Sequence, residues 1–155
     1  MTVLRIGLIS DTHGLLRPQA LAALAGCDGI LHAGDIGKPE ILESLAQLAP
    51  LTAVRGNNDR DAWADGIRDA EELRLGGVGI YLVHDQADIP VDLAERGFKV
   101  VVTGHSHKPL IVERDGLLHI NPGSAGPRRF KLPVSVGFLH IQARGVKAEL
   151  LELVP

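Results

Sequence analysis

The feature that most constrains the fold is a regular alternation of apolar runs with helical segments over the first third of the chain. Three apolar runs of strand length are separated by two segments whose leucines and isoleucines repeat at helical spacing. The predicted strands cover 3–9, 29–33 and 51–54, and the predicted helices cover 18–25 and 39–49. The order β-α-β-α-β favours a parallel sheet with right-handed crossovers, in which the three strands end at the same edge.

Polar side chains that can bind a metal follow five of the apolar runs in the chain. They are Asp11 with His13, Asp35, Asn57, His84, and His105 with His107. Each motif taken singly is typical of an ordinary turn or a buried histidine, but five in succession at strand ends indicate a shared site. The set exceeds the four ligands of a tetrahedral zinc. It suits two metals roughly 3.5–4 Å apart, the arrangement that assists phosphoryl displacement.

Composition limits the remaining possibilities. The chain has 155 residues, 45% of them hydrophobic, so residues 1–155 are predicted to form a single domain with a sizeable core. The one cysteine, Cys27, excludes an intrachain disulfide and a cysteine-based metal site, which favours a cytoplasmic location. A net charge of −3 without a basic cluster argues against a long nucleic-acid partner. Arg5 and Asp11 interrupt the first apolar run, so no membrane span is expected there.

Beyond residue 65 the sequence predicts a second sheet. Runs at 71–75 and 78–83 flank Gly76-Gly77, a pattern typical of a β-hairpin. Further strands are predicted over 98–103, 110–112, 117–120, 134–141 and 146–153. The last four are separated by turn sequences and are expected to make this sheet antiparallel. Residues 89–96 are predicted as a helix with Asp88 as its N-cap, which gives two packed sheets with helices outside.

Taken in order, the strand-end motifs resemble those of the calcineurin-like metallophosphoesterases. The series is Asp-x-His, Gly-Asp, Gly-Asn-x-Asp, a strand-end His and Gly-His-x-His, and its spacing is similar to that of the small YfcE-type phosphodiesterases. The resemblance extends from Asp11 to Ser124. It implies an α/β fold, namely a four-layer α/β/β/α sandwich of two mixed β-sheets flanked by helices, with a dinuclear metal site.

The resemblance also divides the ligands between the two metals. It implies Asp11, His13 and His107 for one ion, Asn57, His84 and His105 for the other, and Asp35 as the bridge. Asp35, Asn57 and His84 are the implied catalytic residues. Mixed imidazole, amide and carboxylate ligation is compatible with Fe, Ni and Zn, and Mn is the first choice.

The implied activity is the hydrolysis of small phosphodiesters by a hydroxide that two divalent ions generate from water near neutral pH. Two alternatives remain open: a phosphomonoesterase of the same family, and a protein-binding scaffold, since the same fold occurs in a retromer subunit. The complete ligand set favours an enzyme, because a pure scaffold has no physical need to hold all these ligands in register. A homo-oligomer is compatible with the sequence.

Position 58 departs from the family pattern. Many family members have His there as the general acid for the leaving group, and many small phosphodiesterases have Cys, whereas this chain has Asn58. An amide is not a proton donor at ordinary pH, so we expect a modest catalyst that favours good leaving groups. Candidate substrate contacts are Asn58, Arg60, Ser124 and Arg128.

Three other polar residues near the motifs each have two interpretations. Asp85, where family members usually have Gly, either hydrogen-bonds a ligating histidine or caps the segment that follows. Asp59 either orients the Asn57 loop or caps the next segment. His32, three residues before Asp35, either supports the ligands or packs in the core, and the core is the favoured interpretation.

Overall fold

The computed structural model describes residues 2–154, which form two β-sheets of five strands each. The strands are β1 (Thr2–Ile9), β2 (Gly29–His32), β3 (Leu51–Ala53), β4 (Ala70–Leu75), β5 (Val78–Val83), β6 (Phe98–Val102), β7 (Leu110–Arg114), β8 (Leu117–Asn121), β9 (Val134–Gln142) and β10 (Gly145–Val154). The helices of the described residues are α1 (Pro18–Leu24), α2 (Pro39–Ala46) and 3-10 turns at Ala62–Ala64 and Gln86–Asp88. Both sheets mix parallel and antiparallel pairs, so the predicted fold class is confirmed.

The first sheet has the strand order β10-β9-β1-β2-β3. β1, β2 and β3 are parallel, and Ile9 pairs with His32, which pairs with Ala53. The three strands therefore end side by side, as the β-α-β-α-β order predicts. The two α-helices, α1 and α2, each begin at a proline, which is tolerated there because the first turn of a helix needs no backbone N–H donor. At seven and eight residues, α1 and α2 fall far short of a membrane span, and no other described helix is longer.

The second sheet has the strand order β4-β5-β6-β8-β7. Its centre is parallel, with Leu82 of β5 beside Val102 of β6 and Val102 beside Ile120 of β8. The predicted hairpin at Gly76-Gly77 joins β4 to β5 at one border, and β7 pairs with β8 at the other. Because β5 and β6 are parallel, the loops that carry His84 and His105 leave the same edge.

The prediction that the last four β runs form an antiparallel second sheet is wrong. β9 pairs with β1, and β10 pairs with β9, so both belong to the first sheet. The physical reason is that β9 is buried on both faces. Phe138 packs beneath the helices, whereas Leu139 and Ile141 face the second sheet. Such a strand needs a covering layer on each side, which the first sheet has.

Two apolar clusters hold the layers together. One fills the space between the sheets and includes the buried residues Leu8, Leu31 and Val102. The other lies between the first sheet and the helices and includes Leu24 and Leu45. Burial of this kind stabilises each side chain by roughly 1.5–3 kcal/mol and fixes the two sheets against each other. The carboxyl edges of both sheets consequently meet on one side of the protein.

The helix predicted over 89–96 is wrong, because these residues form turns. Asp85, and not Asp88, caps the short 3-10 helix that precedes them. In this segment Leu93 is buried but Val91 is fully exposed, so the segment lacks the continuous apolar face that would stabilise a short helix. The layer over the outer face of the second sheet is therefore made of turns that cover Tyr81 and Phe98.

Candidate metal centre

Five of the predicted ligands have a left-handed backbone conformation, which is uncommon outside glycine. They are Asp11 (φ 55°), His13 (46°), Asp35 (56°), His105 (69°) and His107 (63°). Such a conformation costs roughly 1–3 kcal/mol, persists where neighbouring structure holds it, and clusters at functional sites. Here the Asp11 N–H donates to the Gly34 carbonyl and the His13 N–H to the Asp35 carbonyl, each at 2.9 Å. The strain thus coincides with the predicted ligand loops.

Two glycines allow these loops to approach one another. A Cβ at Gly56 would overlap the backbone nitrogen and the carboxylate of Asp35. A Cβ at Gly104 would overlap the Ser10 hydroxyl and would lie 2.7 Å from Asp11 Oδ2. The glycines of the Gly-Asn and Gly-His motifs are therefore required by close packing between loops, which explains their place directly before a ligand.

Asp11, His13 and His107 form what we call the first ligand group. His107 Nε2 lies 3.4 Å from Asp11 Oδ1, and His13 Nε2 lies 3.7 Å from the same oxygen. Burial opposes ionisation of Asp11, but the nearby imidazoles of His107 and His13 and the hydrogen bond from Ser10 outweigh it and hold the pKa of this carboxyl well below its usual range. Asp11 in turn raises the pKa of His13. Charge and geometry thus favour an ionised carboxylate between two imidazoles.

Asn57, His84 and His105 form the second ligand group. Asn57 Oδ1 lies 3.0 Å from His84 Nε2 and 3.2 Å from His105 Nδ1. The other ring nitrogen of His84, Nδ1, donates to the Ala33 carbonyl at 2.7 Å. This bond leaves Nε2 of the neutral ring with its lone pair directed into the group.

Asp35 lies between the two groups and contacts both. Its Oδ2 is 3.7 Å from His13 Nε2 and 3.2 Å from His84 Nε2. Burial disfavours its charge, but the nearby imidazole of His84 and the hydrogen bond from the Asn58 backbone N–H lower the pKa of Asp35 below its usual value. Asp35 is therefore an ionised carboxylate shared by both groups.

The donor atoms fit divalent cations. In the first group, Asp11 Oδ1 and His13 Nε2 are buried and have no hydrogen-bond partner in the described residues, and neither has His107 Nδ1. In the second group, the His84 Nε2 lone pair faces two oxygen acceptors, Asn57 Oδ1 and Asp35 Oδ2. Acceptors directed at one another need a cation or an additional proton between them. Imidazole nitrogens with carboxylate and amide oxygens are ligands that Mn, Fe, Ni and Zn accept.

His32 joins the loops of the first group, a role that the sequence did not favour. Its Nδ1 accepts from the Gly34 N–H at 3.0 Å, so Nε2 carries the proton and donates to Thr12 Oγ1 at 3.0 Å. Thr12 then donates to the Ile36 carbonyl at 2.8 Å. Complete burial lowers the pKa of His32 to about 4, which keeps it neutral. Thr12 was not singled out in the sequence, because nothing in a lone threonine indicates such a bond.

Asp59 orients the ligand loops, which was one of its two interpretations. Its buried carboxylate accepts from the backbone N–H groups of Ile36 at 3.0 Å, Gly37 at 3.1 Å and Gly56 at 2.9 Å. It thereby ties the loop after β2 to the loop after β3, which carry Asp35 and Asn57. The 3-10 helix that follows has no side-chain cap.

The candidate substrate contacts lie at different distances from the centre. The Asn58 backbone and side chain both donate to the Asp35 carboxylate, at 2.9 and 3.3 Å. Arg60 donates to the Asn57 carbonyl at 2.9 Å, and buried Ser124 donates to the Asp11 carbonyl at 3.0 Å. Arg128 instead donates at 3.4 Å to the Val154 carbonyl at the end of β10.

The surroundings of the two groups differ in charge. Arg129, which follows Arg128, acts electrostatically on His13 and opposes its protonation. A cavity of about 450 Å³ adjoins the second group at Asn57 and His84. Its other lining residues include Arg55, Asp69, Tyr81, Asp85 and Asp88. Arg55 is paired with Asp69 at 3.0 Å, so the carboxylates of the lining that remain outside this pair are those of Asp85 and Asp88.

Comparison with known proteins agrees with the arrangement of these loops. Residues 4–144 match the family model of the calcineurin-like phosphoesterase superfamily domain. A probable metallophosphoesterase of Methanothermobacter thermautotrophicus is 36% identical over 157 residues, which cover 94% of this chain and 91% of that protein. The phosphodiesterase YfcE of Escherichia coli K12 is 27% identical over 168 residues, which cover 88% of each protein.

A solved structure extends the likeness to the fold. Vps29 from Entamoeba histolytica, in complex with Zn²⁺, superposes with a TM-score of 0.74 at 24% identity, covering 97% of this chain and 100% of that one. At this level of identity the likeness concerns the arrangement of the sheets and carries no statement about activity.

Proposed function

The chain belongs to the calcineurin-like phosphoesterase superfamily, and on that premise we propose that it is a metal-dependent phosphodiesterase acting on small phosphodiesters. The observation that carries the proposal is the position of Asp35, whose single carboxylate contacts a histidine of each ligand group. A shared carboxylate is what a two-metal hydrolytic site requires. The similarity to a phosphodiesterase and to a probable metallophosphoesterase supports the same reaction class.

The first ligand group would hold one divalent ion, the second group another, and Asp35 would bridge them. When bound, the ions supply Lewis acidity toward the phosphate and a water of lowered pKa. Mn is our first choice among ions that accept these ligands. Zn is the main alternative, since Vps29 of the same fold was solved with Zn²⁺.

The side chains of the second group have defined tasks in this scheme. The Ala33 carbonyl fixes the His84 ring, so that Nε2 faces the site throughout the reaction. Asn57 directs Oδ1 toward both histidines, which leaves its amide Nδ2 as the donor for a phosphate oxygen. We assign Asp35, Asn57 and His84 the catalytic roles on these grounds.

Asn58 limits the substrate range. Its backbone and side-chain N–H groups both contact Asp35, so it supports the shared carboxylate. An amide does not protonate a leaving alcohol, and proton donation is worth roughly 10²–10⁴-fold where an acid is present. We therefore expect diesters with good leaving groups to be hydrolysed faster than monoesters or alkyl esters.

The test is hydrolysis of bis-p-nitrophenyl phosphate by protein loaded in turn with Mn, Ni, Fe and Zn. We expect turnover with at least one ion, loss of turnover in EDTA, and a lower rate with p-nitrophenyl phosphate. The matched control is Asp35→Asn, which keeps the shape of the side chain and removes its charge. A faster monoester reaction would favour the phosphomonoesterase alternative.

A non-catalytic scaffold is the second candidate, and the likeness to Vps29 is the observation that favours it. The complete set of seven ligand side chains, several of them buried, argues against it, because buried polar groups are costly where they serve no ligand. Absence of turnover with all four ions would establish the scaffold as the better interpretation.

A further inference from the structure

The two histidines of the second ligand group differ in what lies behind them. His84 directs Nε2 into the group, and its outer nitrogen Nδ1 donates to a backbone carbonyl, that of Ala33, at 2.7 Å. Metal-binding histidines generally need such an outer acceptor, which fixes both the tautomer and the orientation of the ring. His84 is therefore already held in the form that binds a cation.

The His105 ring has the opposite orientation, and its outer nitrogen faces a side chain instead of a backbone carbonyl. Its Nδ1 faces the group, 3.2 Å from Asn57 Oδ1. Its outer nitrogen, Nε2, lies 3.8 Å from Asp85 Oδ2, which is ion-pair distance and longer than a hydrogen bond. The His105 backbone is fixed by its N–H bond to Asp11 Oδ2 at 3.0 Å, so the ring cannot leave this region freely.

Asp85 is itself oriented by a contact that leaves one oxygen available. Its Oδ1 accepts from the Ala87 N–H at 3.0 Å and caps the 3-10 helix Gln86–Asp88. The other oxygen, Oδ2, is the one nearest His105. Both interpretations of Asp85 from the sequence are therefore compatible, because each uses a different oxygen of the carboxylate.

We propose that Asp85 is a positioning residue for His105, acting on its outer nitrogen as the Ala33 carbonyl acts on His84. A neutral imidazole has one N–H, and a carboxylate beside Nε2 favours the tautomer that carries the proton there. This tautomer leaves the Nδ1 lone pair directed into the second group. The inference rests on the proposed function in that the second group binds a divalent ion.

The side-chain exposures show why His105, more than His84, needs a residue that fixes its ring. The His105 side chain is 46% exposed, whereas that of His84 is 6% exposed and enclosed by the fold. Packing and the Ala33 carbonyl together fix His84, but a half-exposed ring on a loop keeps its rotational freedom unless a polar partner restrains it. Outer partners of this kind are typically worth 10–100-fold in metal affinity.

Two variants distinguish the positioning of His105 by Asp85 from the capping of the 3-10 helix by the same residue. Asp85→Asn keeps an oxygen for the Ala87 N–H but replaces the carboxylate oxygen near Nε2 by an amide donor, which favours the wrong tautomer. Asp88→Asn is the control, because Asp88 lines the same cavity and ends the same 3-10 helix, while the polar contacts found for the His105 ring are with Asn57 and Asp85. Both variants remove one negative charge from the same segment.

The first measurement is a calorimetric Mn²⁺ titration of metal-free protein. We expect two sites in the wild type, and in Asp85→Asn a 10–100-fold weaker affinity at one site only. Asp88→Asn should match the wild type. In a His105→Ala background the Asp85→Asn change should have no further effect, since a double-mutant cycle isolates the pair. Equal affinities in wild type and Asp85→Asn, or an effect that persists without His105, would overturn the proposal.

The second measurement detects the tautomer without any metal. Long-range ¹H–¹⁵N correlation spectra at about pH 8, where free imidazole is neutral, distinguish the two tautomers of His105. Asn57 Oδ1, 3.2 Å from Nδ1, competes for the proton, so we expect a larger fraction of the Nε2–H tautomer in the wild type than in Asp85→Asn. An unchanged tautomer would leave Asp85 as a cap only. Neither measurement needs turnover, so a protein that fails to hydrolyse any ester would refute the proposed function without deciding the role of Asp85.

Discussion

The two ligand groups position their polar side chains for a cation in different ways. In the first group Asp11 Oδ1, His13 Nε2 and His107 Nδ1 are buried and lack hydrogen-bond partners among the described residues, and the side chains are positioned mainly by left-handed backbone and by loop-to-loop hydrogen bonds. In the second group the polar atoms contact one another, and the outer nitrogens of both histidines face an acceptor. Both groups therefore need a cation to balance their inward-facing atoms, but only in the second do the outer nitrogens of both histidines already face acceptors that orient the rings before a cation binds.

The difference has a consequence for stability. An ion that binds the folded state adds about 2.7 kcal/mol to the free energy of unfolding when its concentration is a hundred times its Kd. We expect most of the gain on metal binding to come from the first group, where burial is deepest. The two groups share Asp35, so the comparison can be tested by removing that residue and then one residue from each group.

The largest expected effect is that of Asp35→Ala, which removes the carboxylate common to both groups. We expect the metal content to fall from two ions per chain to none and turnover to fall by at least about 10³-fold, as for loss of a major electrostatic stabiliser. Elemental analysis after gel filtration measures the metal, and diester hydrolysis measures the rate. Two tightly held ions in this variant would show that Asp35 is not a shared ligand and that each group binds its ion independently.

A smaller but more specific effect is expected when one histidine is removed from each group in metal-free protein. The His107 side chain is 3% exposed and contacts buried Asp11, so His107→Ala should lower the free energy of unfolding by about 2–3 kcal/mol, the cost of removing one polar partner from a buried carboxylate that keeps Ser10 and His13. His105→Ala, at a 46% exposed side chain, should cost at most about 1 kcal/mol. Urea unfolding in EDTA measures both. Equal losses of unfolding free energy in the two variants would contradict this difference in burial between the groups.

The ligand residues could be recognised in the sequence, but the difference between the two groups could not be predicted from it. The apolar runs predicted the parallel order of β1, β2 and β3, because strand pairing there follows the local alternation of strand and helix. The regular recurrence of Asp, Asn and His after strands brought out the residues that meet at the sheet edges. For His32 and Asp59 the sequence left two interpretations each and could not decide between them, because the deciding partners, the Thr12 hydroxyl and the Ile36 N–H, lie on loops distant in the chain.

Tertiary context also decided the parts of the fold that were predicted wrongly. The runs that became β9 and β10 have the pattern of a hairpin, and a hairpin can extend either sheet. β1 had a free side for β9, and the helices supplied its second apolar cover. Residues 89–96 have helical spacing, but their exposure left Leu93 as the main buried side chain, too little to stabilise a helix.

The support of the first group by His32 predicts a pH dependence. Burial lowers the pKa of His32 to about 4 from 6.5, so protonation favours the unfolded chain. The stabilisation is complete above pH 6.5 and is lost as the pH falls toward 4, by roughly 3 kcal/mol in total. Urea unfolding of metal-free protein should show this slope in the wild type and not in His32→Gln. An NMR titration that found His32 protonated at its ordinary pKa would contradict it.

The smallest expected effect concerns the charge that surrounds each group. Arg129 acts on His13 of the first group, whereas acidic residues line the cavity beside the second, so a substrate phosphate should be drawn toward the Arg129 side. Arg129→Ala should raise KM for a diester by about fivefold, equivalent to roughly 1 kcal/mol, with little change in kcat, because the arginine would bind ground state and transition state alike.

Arg128→Ala is the matched control, since Arg128 contacts the Val154 carbonyl at the end of β10. Steady-state kinetics at two salt concentrations check the result, because screening should weaken the wild type and not the Arg129 variant. An equal increase in KM for both variants would mean that the loop contributes only general positive charge, and the contrast between the two sides would then rest on the acidic cavity alone.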